Sequence, residues 1–258
     1  MSPDSYDIAQ VSYETLGTFD VPEKWRFVWA HGWGQNRHAM ANLAQSLTSF
    51  GGHVLIDFPG FGDAPAPSEP WGTADYADFS ARLLKTGEAA GPTVWLGHSF
   101  GGRVGIQLAA RHPETVDKLV LIASAGLQRQ RSMLEQTRVQ SKIYTFKTLK
   151  HLAPVLGLDV DKLRNRFGSA DYRNAGAMRE ILAKVVREDL TDVARQISCP
   201  VLLIYGGKDT ETPPEIGERL AELIPNADLN VLDTQDHYSL LGDGRHQVAK
   251  RVRDFLQS

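Results

Sequence analysis

The sequence of 258 residues is notable first for what it has little of. It holds a single cysteine, Cys199, so no intramolecular disulfide can form, which fits a reducing compartment. Cys199 precedes Pro200 at the start of an apolar run, with no metal-ligand spacing around it, and reads as a strand residue. No apolar run approaches the roughly 18 residues that a membrane helix needs. The N-terminus, M-S-P-D-S-Y-D-I, lacks the basic segment and apolar stretch of a secretory signal. The expected location is therefore cytoplasmic, with no membrane partner. Neither sign of charge dominates: 28 Lys and Arg against 31 Asp and Glu leave a net charge of −3, so nothing global points to nucleic acid.

What is present is the composition of a globular protein, 42% hydrophobic and 23% charged, with enough chain to bury a sizeable core. Short runs rich in Val, Ile and Leu occur at 26–30, 53–57, 93–96, 118–123, 201–205 and 228–232. Most are almost continuously apolar, as strands buried on both faces are. Helical patterns lie between them at 37–50, 73–89, 102–111, 214–223 and 245–256. This alternation predicts an α/β fold with a mostly parallel sheet flanked by helices, and residues 8–18 look like an antiparallel edge. One block breaks the rhythm: 126–192 has no convincing strand, only helix-like sequence such as 132–150 and 175–188. It reads as a helical insertion over the C-terminal edge of the sheet. The expected division is a core of 1–125 with 193–258 and a cap of 126–192.

The insertion carries its own charge. Residues 126–193 hold thirteen Lys or Arg and eight Asp or Glu. The excess lies in Arg129, Arg131, Arg138, Lys142, Lys147 and Lys150, set against Glu135. Such a segment is either a solvated helix face or a basic patch that draws in an anionic substrate.

The chemistry centres on Gly97-His98-Ser99-Phe100-Gly101. G-x-S-x-G alone is a weak match, but here it follows one strand pattern and opens a helix, the setting of a nucleophile elbow. Glycines two places either side of Ser99 remove side chains that a sharp turn would crowd. A serine hydroxyl needs a base. Of eight histidines, His237 follows the last strand, on the same side of the sheet as the elbow. His98 neighbours Ser99 and points to the opposite face. His246 begins the final helix pattern and reads as solvent-facing, while His38, His53, His112 and His151 read as surface residues. The acid that fixes the imidazole is Asp209, on the loop after 201–205. Glu211 reads as an ordinary loop carboxylate, and Asp233 and Asp236 as solvated or turn-forming. The two oxyanion donors expected are the backbone N–H groups of Phe100 and of Trp33, in His31-Gly32-Trp33-Gly34. His31 reads as a prop for that loop, and the Trp33 ring as either pocket wall or core.

With those residues in place, the whole chain resembles the α/β-hydrolase superfamily. The resemblance rests on H-G-W-G at 31–34, D-F-P-G-F-G at 57–62, G-H-S-F-G-G at 97–102, G-G-K-D at 206–209 and D-H at 236–237. The order Ser99, Asp209, His237 is that family's order. The resemblance implies an eight-stranded sheet, a helical cap, no cofactor or metal, and acyl-enzyme chemistry. It makes Asp57 a structural turn residue. Serine at the nucleophile position argues against the branches that use aspartate there. Two departures stand near His237: Asp236 replaces a common glycine, and Y-S-L-L-G-D-G-R replaces a common glutamate and proline.

The function expected is hydrolysis of a small carboxylic ester or thioester. Two alternatives remain: cleavage of a carbon–carbon bond in an anionic dienoic or diketo acid, and a ligand-binding receptor without catalysis. The first partner in every case is a small molecule.

Overall fold

The computed structural model describes residues 3–19, 24–86, 91–130 and 170–257, with positions 137, 140, 141, 144, 145, 148, 149 and 151–153 between them. Seven strands form one sheet: β1 Tyr13–Leu16, β2 Trp25–Ala30, β3 Gly51–Ile56, β4 Thr93–His98, β5 Lys118–Ile122, β6 Val201–Gly206 and β7 Ala227–Leu232. Their order is β1-β3-β2-β4-β5-β6-β7. Only β1 runs antiparallel, pairing with β3; the other pairs are parallel. The resemblance implies eight strands; among the described residues there are seven. Residues Ile8–Gln10 make a 3-10 turn capped by Asp7, so the antiparallel edge starts only at Tyr13.

The flanking helices are α1 Ala41–Gln45, α2 Thr73–Thr86, α3 Phe100–Arg111, α4 Ala170–Asn174, α5 Arg179–Val185, α6 Thr191–Ala194, α7 Pro214–Leu223 and α8 Arg245–Gln257. Alternate strand residues feed two cores. Val28, Ala30, Trp95, Leu121 and Leu203 meet α2, α3 and α7. Phe27, Trp29, Leu96, Ile122 and Leu202 meet α1 and α8 on the other face. Each fully buried side chain of this kind contributes about 1.5–3 kcal/mol.

The helix expected over 37–50 is shorter. A 3-10 turn at Arg37–Met40 leads into the five residues of α1. Ser46 and Thr48 hydroxyls then bond back to the Asn42 and Gln45 carbonyls, which competes with helical bonding.

Most of the 126–169 segment, including most of the helix expected at 132–150, lies outside the described residues. Where the segment returns, α5 and α6 pack on the core. The Leu190 N–H donates to Gly126 O at 2.9 Å, so the two ends of the block meet. The catalytic candidates all lie on loops at the C-terminal ends of the parallel strands.

Candidate active site

Ser99 stands between the last residue of β4 and the first of α3, with φ 50° and ψ −105°. A positive φ at a residue with a Cβ is strained and persists only where surroundings enforce it. Here the Ser99 N–H is tied to Ile122 O at 3.0 Å, and its carbonyl accepts from Gly102 and Arg103. The flanking glycines are required by close approach. A Cβ at Gly97 would meet Gly101 O at 2.3 Å, and one at Gly101 would meet Ala30 O at 2.0 Å. The elbow leaves Ser99 half-buried at the N-terminal end of α3, where helix polarity favours developing negative charge.

The loop after β2 faces it. His31 is buried, and its Nδ1 donates to Gly32 O at 2.8 Å while Nε2 accepts from the Phe58 N–H at 3.2 Å. Both ring nitrogens are thus used by the neutral form, and burial pushes the His31 pKa down to about 4. The Gly32 carbonyl and the Trp33 N–H belong to one planar trans peptide, so holding the carbonyl turns the N–H the opposite way. Among the described residues, neither the Trp33 N–H nor the Phe100 N–H donates to a protein acceptor. Trp33, Phe100 and Ser99 line the same cavity, of about 600 Å³. The half-buried Trp33 ring does both things expected of it: it lines the cavity and packs edge-on against Phe61 and Phe100, at 4.9 and 5.6 Å between centroids.

Asp209 follows β6 and is buried. Its Oδ1 accepts the N–H groups of Glu211 and Thr212, each at 2.8 Å. Its Oδ2 lies 2.8 Å from His237 Nδ1. Burial alone would raise its pKa, but the hydrogen bonds from His237 and Thr212 outweigh it and hold the carboxyl below its ordinary range. His237 sits on the loop after β7. Asp236, in the place of the common glycine, caps that loop by accepting the N–H groups of Tyr238 and Ser239 at 3.0 and 2.8 Å.

The structure brings Asp209 and His237 into contact and places Ser99, Trp33 and Phe100 on one cavity. Among the described residues no hydrogen bond joins Ser99 to His237. Instead, Nε2 of His237 faces the Glu211 carboxylate, with Oε2 at 3.6 Å. His237 is 4% exposed, while its neighbours Glu211 and Tyr238 line the cavity.

Three expectations are corrected. Glu211 is more than a loop carboxylate, because it stands over the imidazole. His98 points toward the site loop: its Nε2 donates to His237 O at 3.0 Å, and burial pushes its pKa down to about 3, so it is a neutral prop for the base. His53 is fully buried rather than on the surface, accepting from Trp29 Nε1 at 2.9 Å and stacked on Phe27. Nothing local in the sequence signals these positions, since each partner lies many residues away. His38, His112 and His246 do lie at or near the surface. Asp57 is buried and ties the Arg37 guanidinium and the Asp63 N–H, which is a loop clamp. Of the basic stretch, Arg129 is described; it lines the cavity and donates to Thr210 O at 3.1 Å. Arg131, Arg138, Lys142, Lys147 and Lys150 lie outside the described residues. Among the described residues no cluster of His, Cys, Asp or Glu could hold a metal ion, and no helix is long and apolar enough to cross a membrane.

Residues 27–251 match the profile of the alpha/beta hydrolase family. A pimeloyl-[acyl-carrier protein] methyl ester esterase of Neisseria meningitidis serogroup A is 34% identical over 88% of this chain and 75% of that protein. A lipase-esterase related protein from Clostridium acetobutylicum superposes with a TM-score of 0.71 at 19% identity, over 95% of this chain and 99% of that one. A hydrolase from Pseudomonas aeruginosa gives 0.71 at 23% identity, over 96% and 94%. The fold of those two structures is shared, and the sequence relatives are named esterases. The protein is a hydrolase of the esterase kind, and its chain belongs to the alpha/beta hydrolase family.

Proposed function

We propose that the protein is a serine esterase that cleaves a small carboxylic ester through an acyl-enzyme, with Ser99 as nucleophile, His237 as base and Asp209 as its acid. The observation that carries this reading is one cavity: it is lined by a strained serine, by two residues whose backbone N–H groups are undonated, and by Glu211 and Tyr238, chain neighbours of a buried carboxylate–imidazole pair. Residues 1–125 with 193–258 form the core in this reading, and 126–192 the cap that shapes the acyl pocket.

Ser99 Oγ attacks the ester carbonyl as its proton passes to His237 Nε2. For this step the Glu211 side chain, 51% exposed, must yield the Nε2 face. The Trp33 and Phe100 N–H groups take the oxyanion, where donors of this kind contribute most. Asp209 holds the Nδ1 proton and stabilises the imidazolium. The imidazolium gives its proton to the departing alkoxide, leaving an acyl-Ser99 ester. His237 then deprotonates a water, which attacks that ester, and Ser99 leaves with the proton. No cofactor enters any step. The name of the Neisseria relative puts methyl esters of carrier-bound acyl chains among the substrates to test.

The test is labelling of Ser99 by a fluorophosphonate, together with turnover of p-nitrophenyl and methyl esters of several chain lengths and of acyl thioesters. Ser99→Ala is expected to lower kcat/KM about a thousandfold or more. Absence of both labelling and turnover overturns the reading.

A further inference from the structure

Thr212 lies three residues after Asp209, 5% exposed, and its hydroxyl sits at the centre of the acid–base pair. Oγ1 is 2.8 Å from Asp209 Oδ2, 3.1 Å from His237 Nδ1 and 3.0 Å from Ala123 O. Its backbone N–H also holds Asp209 Oδ1, at 2.8 Å. Thr212 therefore grips both oxygens of one carboxylate.

The proton placement follows from the partners. Ala123 O can only accept. An ionised Asp209 Oδ2 at 2.8 Å from Oγ1 needs a proton between the two oxygens, because lone pairs would otherwise face each other. The Thr212 O–H thus points to Asp209, with Ala123 O as a second acceptor, and an Oγ1 lone pair faces the Nδ1 proton of His237. Ala123 matters independently. It has φ 45°, the one described non-glycine residue besides Ser99 with a positive φ, and it directly follows β5. Its N–H is held by Ile204 O at 2.8 Å, and its carbonyl is turned onto Thr212. Backbone strain of this sort clusters at functional sites.

We propose that Thr212 is a positioning residue: its hydroxyl locks the plane of the Asp209 carboxylate and shares the Nδ1 proton, fixing the tautomer and direction of His237. The proposal rests on the reading of Asp209 and His237 as acid and base. The other charged or polar groups facing His237 are Glu211 at Nε2, His98 at its carbonyl and the Tyr238 ring; none of them reaches Asp209 Oδ2.

Thr212→Val keeps the shape and removes the hydroxyl; Thr212→Ser keeps the hydroxyl. With the ester turned over best, Thr212→Val is expected to lower kcat about tenfold, the size of one charge-assisted hydrogen bond, while KM stays within about twofold. Thr212→Ser should recover most of that loss. In proton NMR, the far-downfield His237 Nδ1 proton should shift or broaden in Thr212→Val and return in Thr212→Ser. Should Thr212→Val fail to fold, Thr212→Ala, which adds no bulk, takes the same readouts. Unchanged kcat with an unchanged Nδ1 resonance overturns the proposal, as does Thr212→Ser behaving like Thr212→Val. The resonance is measured also in Ser99→Ala, where no ester chemistry is needed. Failure of the esterase reading, with wild-type Ser99 unlabelled, is thereby separate from failure of the Thr212 role.

Discussion

Gly101 and Gly176 separate two reasons for glycine. A Cβ at Gly101 would lie 2.0 Å from a backbone carbonyl oxygen of β2, which no rotamer change relieves. Gly176 has φ +50° and nothing within 4 Å of the missing Cβ, so only its dihedral is at stake. Gly101→Ala is therefore expected to lose more than about 3 kcal/mol of stability, by crowding. Gly176→Ala should lose about 1 kcal/mol, the cost of a left-handed L-residue. Urea unfolding of the two variants checks both values. A Gly101→Ala protein as stable as wild type would mean that the elbow is looser than its contacts describe. The same residue scale explains why Ser99 is strained: its neighbours pack too closely for the turn to relax.

At the scale of elements, strand and helix cores were legible because the strands are nearly continuous apolar runs and the helices carry an amphipathic period. Pro214–Leu223 forms the helix its pattern predicts, and Val201–Gly206 the strand. Ends were less legible. β3 begins at Gly51, two residues before the apolar run; a Cβ at Gly51 would meet Trp25 O at 1.8 Å, so glycine lets the strand start under a neighbouring backbone. The proposed triad was legible from strand ends and chain order, whereas Thr212, His98 and Glu211 act through partners that only the fold brings near. Arg103 belongs to this scale too. From α3 its Nη1 donates to Val185 O at 3.0 Å and Glu188 O at 3.3 Å, tying the end of α5 to the core. Glu188 in turn accepts from the Thr73 N–H at the start of α2. Arg103→Met keeps the stem but removes one donor from each carbonyl, leaving the Glu188 N–H on Val185 O and Gln128 Nε2 on Glu188 O, so it should cost about 1 kcal/mol. Hydrogen exchange should quicken over 182–190 and stay slow in β4 and β5. Uniform quickening would show that Arg103 supports the whole core instead.

Three buried histidines, His31, His53 and His98, are held neutral by their burial. Burial pushes His31 and His53 from the ordinary 6.5 to about 4, and His98 to about 3. The unfolded chain binds these protons as pH falls through 6.5, and the folded chain only near pH 4 or below. Stability is thus full above 6.5 and is lost on acidification between 6.5 and 4, at up to about 1.4 kcal/mol per pH unit for each group. Denaturant midpoints measured from pH 7.5 to 4.5 should fall across that window; a flat profile would contradict neutral burial. The three proposed catalytic side chains also arrive in a fixed order, Ser99 in the turn after β4 and then Asp209 and His237 on the loops after β6 and β7. During synthesis the serine is made more than a hundred residues before its acid and base. If Ser99, Asp209 and His237 act together as proposed, a nascent or truncated chain that has built only the elbow holds an unreactive alcohol, and hydrolysis begins only once the loop after β7 has docked.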